Sequence, residues 1–457
     1  PKALFRLARA ELLLDPTLES EVRFYHQLLQ EYFAAEAMLA RFQSGEDLSA
    51  HWRALRRIDE MPPVEVSEWD PLPEPPDTGW EETTILACGL AEEPEKLVAT
   101  VRLYNPNLAA RCWLESGVLW GEAREDALKP QLQHSLRADL YDPVLHLRTR
   151  LQVGHTLGWL GDPRFVVRER GGVRFISPML VPVPAGTYTI GSSVDDPDAY
   201  ADERPQHTVD LQSFAIGKWP VTNIEYAYFI DAGGYRNDQW WETNLAKHWL
   251  RGDDAGGGQS IGLRRYRNIN QDTSSVSHWS REQPAYWDVH TRKGPSQPVV
   301  GLTWFEARAY CAWLSFVSGR PYRLPTEVEW EAAARGLEAR VYPWGPQWNP
   351  ARANTTESRV QRPSPVGSFA AAGGSGPYET EDQSGNVWEW TSSLFDFAYP
   401  YQSDERENPE TDGERSARGG SWGDDRRGVR CACRLRLVPT HFALGARVVS
   451  PVLSQPS

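Results

Sequence analysis

The feature that most constrains this chain is a change of texture near residue 178. Before it, apolar residues recur at three- and four-residue spacing, the pattern of helices that each bury one stripe. After it, Gly, Trp and turn-forming residues multiply, and long periodic stretches survive only at 304–317 and 325–334. A segment that folds largely in loops cannot satisfy its backbone through regular ladders alone. Buried polar side chains must then pair with loop carbonyls and amides. We therefore expect an α+β unit over 178–457, with two helices among short strands and long loops. Thr326 is its clearest helix start, an N-cap with Glu329 three residues on. Strands are expected at 186–190, 207–211, 214–217 and 447–449.

The N-terminal third reads as all-α. Over 21–42, Val22, Tyr25, Leu28, Leu29, Tyr32, Phe33, Met38 and Leu39 form one stripe. Residues 61–79 are too rich in Pro for a helix and read as an extended connector. Helical patterning resumes at 80–89, 94–104, 108–116 and 143–160, the last ending at Gly161-Asp162-Pro163. The expected organisation is a helical segment 1–60, the connector 61–79, a helical repeat-like region 80–177 and the domain 178–457.

Size and charge bound the function. At 457 residues the chain is too long for one ordinary domain. A net charge of -14 argues against a broad phosphate-binding face, so no nucleic-acid partner is expected, although 418–436 is locally basic. No apolar run reaches membrane-spanning length, and no membrane association is expected. Five scattered cysteines, Cys88, Cys112, Cys311, Cys431 and Cys433, show no zinc spacing and fit reduced thiols in the cytoplasm. Pro1 in place of an initiator Met suggests that the natural protein extends upstream. The excess of Arg over Lys and the abundant Pro hint at a thermophilic source. His207, His248, His278 and His290 share no metal spacing, 253–258 reads as a Gly-rich loop, and Asp195-Asp196 and Asp202-Glu203 read as solvated acidic pairs, with a weak cation site as the alternative.

Two resemblances carry the reading further. The run Phe24-Tyr25-His26-Gln27-Leu28-Leu29-Gln30-Glu31-Tyr32-Phe33-Ala34-Ala35 resembles the helix after the ATPase core of NACHT-type signalling NTPases, with HEAT-like repeats at 80–116 and 148–164. No GxxxxGK[ST] phosphate loop occurs in these residues, so that resemblance implies a nucleotide-binding domain upstream in the full-length chain. Nine segments then follow in one order: 183–191, 203–209, 221–223, 298–304, 310–313, 323–331, 342–345, 385–390 and Arg418-Gly419-Gly420-Ser421-Trp422. Together they resemble the formylglycine-generating-enzyme (sulfatase-modifying factor) family, a version of the C-type lectin fold. Arg323, Glu327, Glu331, Glu389 and Arg418 are expected as internal struts, and Trp304, Trp330, Trp344, Trp388 and Trp390 as filling between them.

The family's copper-dependent oxidases place two cysteines just beyond RGGS, where this chain has 422–429 and no cysteine. No HxxxHxE stands for the histidines of the related iron-dependent enzymes. On that ground we expect no catalysis and no required cofactor. The resemblance does imply a structural calcium held by Glu389 with Ser384, Gly385 and Val387, and a second set at Asn354 and Thr355; for Glu389 the competing expectation is a salt bridge to an Arg. The C-terminal framework, 418–449, looks most like that of diversity-generating-retroelement variable proteins, with Ala446 departing from their usual aromatic. The variable positions carried over are Gly423, Asp424, Asp425, Gly428, Cys433, Leu435, Leu437, Val438, Thr440, His441, Ala443 and Leu444. Along 429–437, period two buries Val429, Cys431, Cys433, Leu435 and Leu437; the resemblance instead turns Cys433, Leu435 and Leu437 outward and makes the arginines braces. The expectation we adopt is the outward one: a recognition protein binding a protein or other macromolecule. A divergent copper oxidase and an interaction domain with an invariant surface are the alternatives.

Overall fold

Asn105 illustrates how the N-terminal helices begin. Its Oδ1 accepts a hydrogen bond from the Leu108 amide at 3.0 Å, and Pro106 supplies a first helical residue that needs no donor. The computed structural model describes residues 27–63, 67, 70–251, 281–402, 404–436 and 443–452. They form two units, 1–62 with 74–161 and 63–73 with 162–457.

In the first unit the described helices are α1 (Gln27–Gln43), α2 (Ser49–Trp52), α3 (Glu81–Leu90), α4 (Pro94–Arg102), α5 (Pro106–Glu115), α6 (Glu122–Leu140) and α7 (Leu147–Gly161). They close over one core that includes Trp52, Leu97, Leu108, Leu132 and Leu157. Helix α6 escaped the sequence reading. Its apolar stripe is a single row, Leu128, Leu132, Leu136 and Leu140, and Pro130 lies inside it and reads as a breaker.

The second unit starts earlier than its texture suggests. A hairpin pairs β1 (Val167–Arg170) with β2 (Val173–Ile176) through Gly171 and Gly172, both at positive φ as a two-residue hairpin turn requires. It lies within the stretch read as helical. Strands β3 (Leu180–Val183), β6 (Phe214–Gly217) and β11 (Val449–Pro451) form one antiparallel sheet, and β4 (Gly186–Ile190) pairs with β5 (His207–Leu211). A four-stranded sheet runs β10 (Leu444–Ala446), β7 (Trp388–Leu394), β8 (Arg415–Arg418), β9 (Arg434–Arg436), with β10 parallel to β7. Among the described residues four helices accompany these strands: α8 (Asn223–Asp231), α9 (Asn244–Arg251), α10 (Trp304–Ser318) and α11 (Glu327–Arg335). The sequence indicated only the last two. Thr326 and Glu329 form the expected capping box, and Thr222 with Glu225 and Thr303 with Glu306 repeat it on α8 and α10.

The struts are buried carboxylate–guanidinium pairs. Glu327, in the first turn of α11, receives Arg418 at 3.2 Å and both Nε and Nη2 of Arg434 at 3.0 Å, with Arg406 at 3.9 Å. One turn on, Glu331 holds Arg335 at 2.7 Å and Arg418 at 3.0 Å. Arg430 grips Glu203 through two bonds of 2.8 and 2.7 Å, so the acidic pair Asp202-Glu203 is not wholly solvated. Arg323 is the exception among the expected struts: it pairs with Glu329 at 2.6 Å with its side chain largely exposed.

Removing one partner of such a pair leaves the others charged and buried, which costs about 3–5 kcal/mol. Glu327→Gln should therefore shift the urea unfolding midpoint sharply downward, while Arg323→Met should change it little. Burial pushes the carboxyls of Glu225 and Glu306 up to about 7. Because the folded value is raised, the stability these groups contribute is complete below the ordinary carboxylate range and lost as pH rises through about 7. Thermal stability should fall as pH rises from about 4.5 to about 7 and level off above that, and fall less in Glu306→Gln, whose amide still caps α10.

Candidate ligand-binding surface

The loop after β8 is fixed from beneath. Gly420 has φ of 73°, and a Cβ there would meet Val429 Cγ1 at 2.5 Å, so only glycine lets the chain turn. Beyond it, Asp424 Oδ2 accepts three hydrogen bonds, from Ser421 Oγ at 2.6 Å, the Ser421 amide at 2.9 Å and Trp388 Nε1 at 2.9 Å. The Thr356 amide donates to the Asp424 carbonyl at 3.0 Å, and the Arg426 amide to Glu357 Oε1 at 3.1 Å. Asp425 accepts the amides of Arg427 and Gly428 at 2.9 and 3.2 Å. The backbone is thus specified while Gly423, Asp425 and Arg426 remain exposed.

Aromatic side chains flank this loop. Tyr342 stacks on Trp344 at 5.4 Å and meets Trp348 at 5.1 Å, and its hydroxyl donates to the Arg426 carbonyl at 3.1 Å. Both tryptophans are half-buried, so Trp344 is not the interior filling that the sequence suggested. On another side, the Arg427 guanidinium lies 3.9 Å from the ring centre of Tyr200, itself 38% exposed, and Arg427 Nε donates to the Asp198 carbonyl at 2.8 Å. Tyr200, Trp344, Trp348, Asp425, Arg426 and Arg427 are therefore displayed on a rigid base. Of these the sequence marked only Asp425 as ligand-facing; Trp344, in the YPWG segment, and Arg426 and Arg427, in the C-terminal framework, were read as architecture.

The variable positions divide. Gly423 and Asp425 are exposed, and Asp424 is half-buried and committed to Ser421 and Trp388. Gly428, Cys433, Ala443 and Leu444 are buried, with Cys433 only 2% exposed, which corrects the expectation that they face outward. The reason is local. Strand β9 spans just Arg434–Arg436, so Cys433 precedes it and joins the core with Trp422 and Leu444, and Leu435 packs half-buried against the same cluster. Leu437, Val438, Thr440 and His441 lie outside the described residues, as do His26, His278 and the 253–258 loop.

Neither implied metal fits. The Glu389 carboxylate is fully buried and held by Arg447 through bonds of 2.9 and 2.8 Å and by Trp330 Nε1 at 2.6 Å. A calcium ion there would sit beside a guanidinium and displace two partners. Ser384 donates its hydroxyl to the Val429 carbonyl at 2.9 Å, and the Gly385 carbonyl accepts the Val387 amide at 3.0 Å. In the second set, the Asn354 carbonyl accepts the Asn386 amide at 2.8 Å. For copper, burial pushes the Cys431 thiol up to about 12 and Cys433 upward as well, which disfavours the thiolates such a centre needs.

With this geometry in place, comparison with known proteins defines the class. Residues 173–451 match the family model described as sulfatase-modifying factor enzyme 1-like domain. The chain belongs to that family. A protein of Mycolicibacterium smegmatis named hercynine oxygenase is 34% identical over 254 residues, which are 52% of this chain and 53% of that protein. The chain thus spans about half the length of that relative. A Bos taurus protein named inactive C-alpha-formylglycine-generating enzyme 2 is 33% identical over 263 residues, covering 54% of this chain and 76% of that one. Among solved structures, Treponema denticola variable protein 1 aligns with a TM-score of 0.39 at 19% identity, over 63% of this chain and 99% of its own. The expectation that the chain is no enzyme is corrected by these relatives, since one bears the name of an oxygenase. A missing cysteine pair removes one chemistry at one place, whereas the fold hosts others. Among the described residues no helix is long and apolar enough to cross a membrane.

All five thiols are buried. Folded protein should accordingly give no fast-reacting thiol with an aromatic disulfide reagent at pH 8, and five after denaturation; rapid labelling of Cys431 or Cys433 would contradict the placement.

Proposed function

We propose that the second unit recognises a protein ligand through the face carrying Tyr200, Trp344, Trp348, Asp425, Arg426 and Arg427. The observation that supports this reading is the pinning of the loop by Asp424 beneath half-exposed aromatic and arginine side chains. Trp, Tyr and Arg carry most of the energy of protein interfaces, and a base fixed before binding loses little entropy on association. In the same proposal the first unit is the tail of a NACHT-type signalling protein in the cytoplasm, so that binding is reported to an NTPase domain upstream. Its support is the sequence resemblance over 24–35 and the helical segments after it. The retroelement part rests on the C-terminal framework; among the described residues Gly423, Asp425 and Leu435 are its reachable positions. A repeat differing from codons 423 to 444 only opposite adenines would support it.

A second reading is favoured by the 34% identity to hercynine oxygenase. In it the same loop borders a site of oxygen chemistry, and dioxygen consumption by purified protein with added iron(II) or copper(I) is the measurement that supports it.

Recognition is tested by affinity capture from a lysate of the source organism, with wild-type protein and a Trp344→Ala/Arg426→Ala double variant in parallel. A ligand retained by wild type should be lost at least about tenfold by the double variant. Leu119→Ser, an exposed position in the other unit, should retain it. Equal capture by wild type and the double variant sinks the assignment of the face.

A further inference from the structure

Every other buried arginine of the second unit among the described residues has a carboxylate within ion-pairing distance. Arg415, at the start of β8 and only 5% exposed, has none. Four main-chain carbonyls hold it instead: Ser392 at 2.8 Å, Arg406 at 3.4 Å, Asn408 at 2.9 Å and Thr411 at 2.9 Å. Carbonyl dipoles solvate a guanidinium but supply no countercharge, and the carboxylates of Glu407 and Asp412 act on it only from beyond ion-pairing distance, which is costly in a dry environment. Burial, and then the neighbouring Arg308, push its pKa down only to about 10, so the group is charged at neutral pH.

The surroundings of that charge are apolar and open to solvent. Arg415 lines a shallow, open surface recess with Trp304, Trp390, Leu245, Phe305 and Pro409. The guanidinium carbon stands 4.3 Å from the Trp304 ring centre. Both terminal nitrogens are committed to the carbonyls, whereas Nε has no acceptor among the described residues and is not sealed from solvent. The two acidic side chains of the recess do not cancel the charge: Glu414 pairs with Arg436 at 2.5 Å, and Asp412 is exposed.

We propose that this recess binds a small organic carboxylate with an aromatic body, its carboxylate meeting Arg415 and its ring lying against the apolar lining. A buried cation without an ion-pair partner beside aromatic walls selects for that combination, because the anion supplies a contacting countercharge and the ring replaces water on the half-buried Leu245 and Phe305. The site is separate from the recognition face and stands or falls independently of it.

Phenylacetate is a suitable probe, and its amide, phenylacetamide, has a like body without the charge. Calorimetric titration of the full chain should give one phenylacetate site with a Kd below about 1 mM and at least tenfold weaker binding of phenylacetamide. Arg415→Gln should abolish the difference between the two. Arg415 also props the 406–411 loop, so Leu245→Glu provides a second variant that places a like charge at the recess without touching those carbonyls. It should weaken phenylacetate about tenfold and leave phenylacetamide unchanged. Equal binding of the two compounds by wild type, no binding of either up to about 10 mM, or undiminished phenylacetate binding by Leu245→Glu overturns the proposal.

Discussion

Glu327 lies where α11, β8 and β9 meet, and it binds guanidinium groups from Arg418 and Arg434 with Arg406 close behind. One carboxylate cannot neutralise three cations, so Glu331 takes Arg418 from the other side and Asp404 pairs with Arg406. Helix α11 supplies both acids one turn apart, so a single capped helix orders the strands that face it. Trp330 lies on the same helix and donates to Glu389, which in turn secures Arg447 beyond β10. The loop-rich half of the molecule is joined through this chain of charges.

Such a lattice explains why the displayed loop can be both precise in its backbone and free in its side chains. Arg430 reaches down to Glu203, and Asp424 turns inward to Ser421 and Trp388. Their neighbours Asp425 and Arg426 are left without a structural duty for their side-chain ends beyond the local turn. A position whose main chain is secured by others can change its side chain without unfolding the domain. Membership of a family whose relatives include a protein named as an oxygenase and another named as inactive accords with a frame that outlasts changes at its surface.

Much of this was legible in the sequence. The capping box at Thr326 and Glu329, the struts at Glu327, Glu331, Glu389 and Arg418, and three of four expected strands are where the residues indicated. The fourth was displaced, since Arg447 leaves the ladder to reach Glu389 between β10 and β11. Helix α6 was hidden by Pro130 and a one-residue stripe, and α8 by its mixed polarity. Alternation placed Cys433 inside, as the structure does, and the outward placement came from the resemblance; Cys433 stands one residue before β9 and belongs to the core rather than to the displayed strand. Trp344 was misplaced for a different reason: a tryptophan in a recurring motif looks like filling, and nothing local says that one face of its ring is left open.

The pairing of Arg430 with Glu203 joins residues 227 positions apart, and Arg434 reaches Glu327 across 107. Contacts so remote in sequence form only after a large loop has been closed, which places this unit among slow, non-local folders. During synthesis Glu203 and Glu327 emerge long before the cations that neutralise them. The nascent chain therefore carries an acidic, unfinished interior until its last strands leave the ribosome, a period in which premature collapse is discouraged by like charges that the finished fold has no trace of.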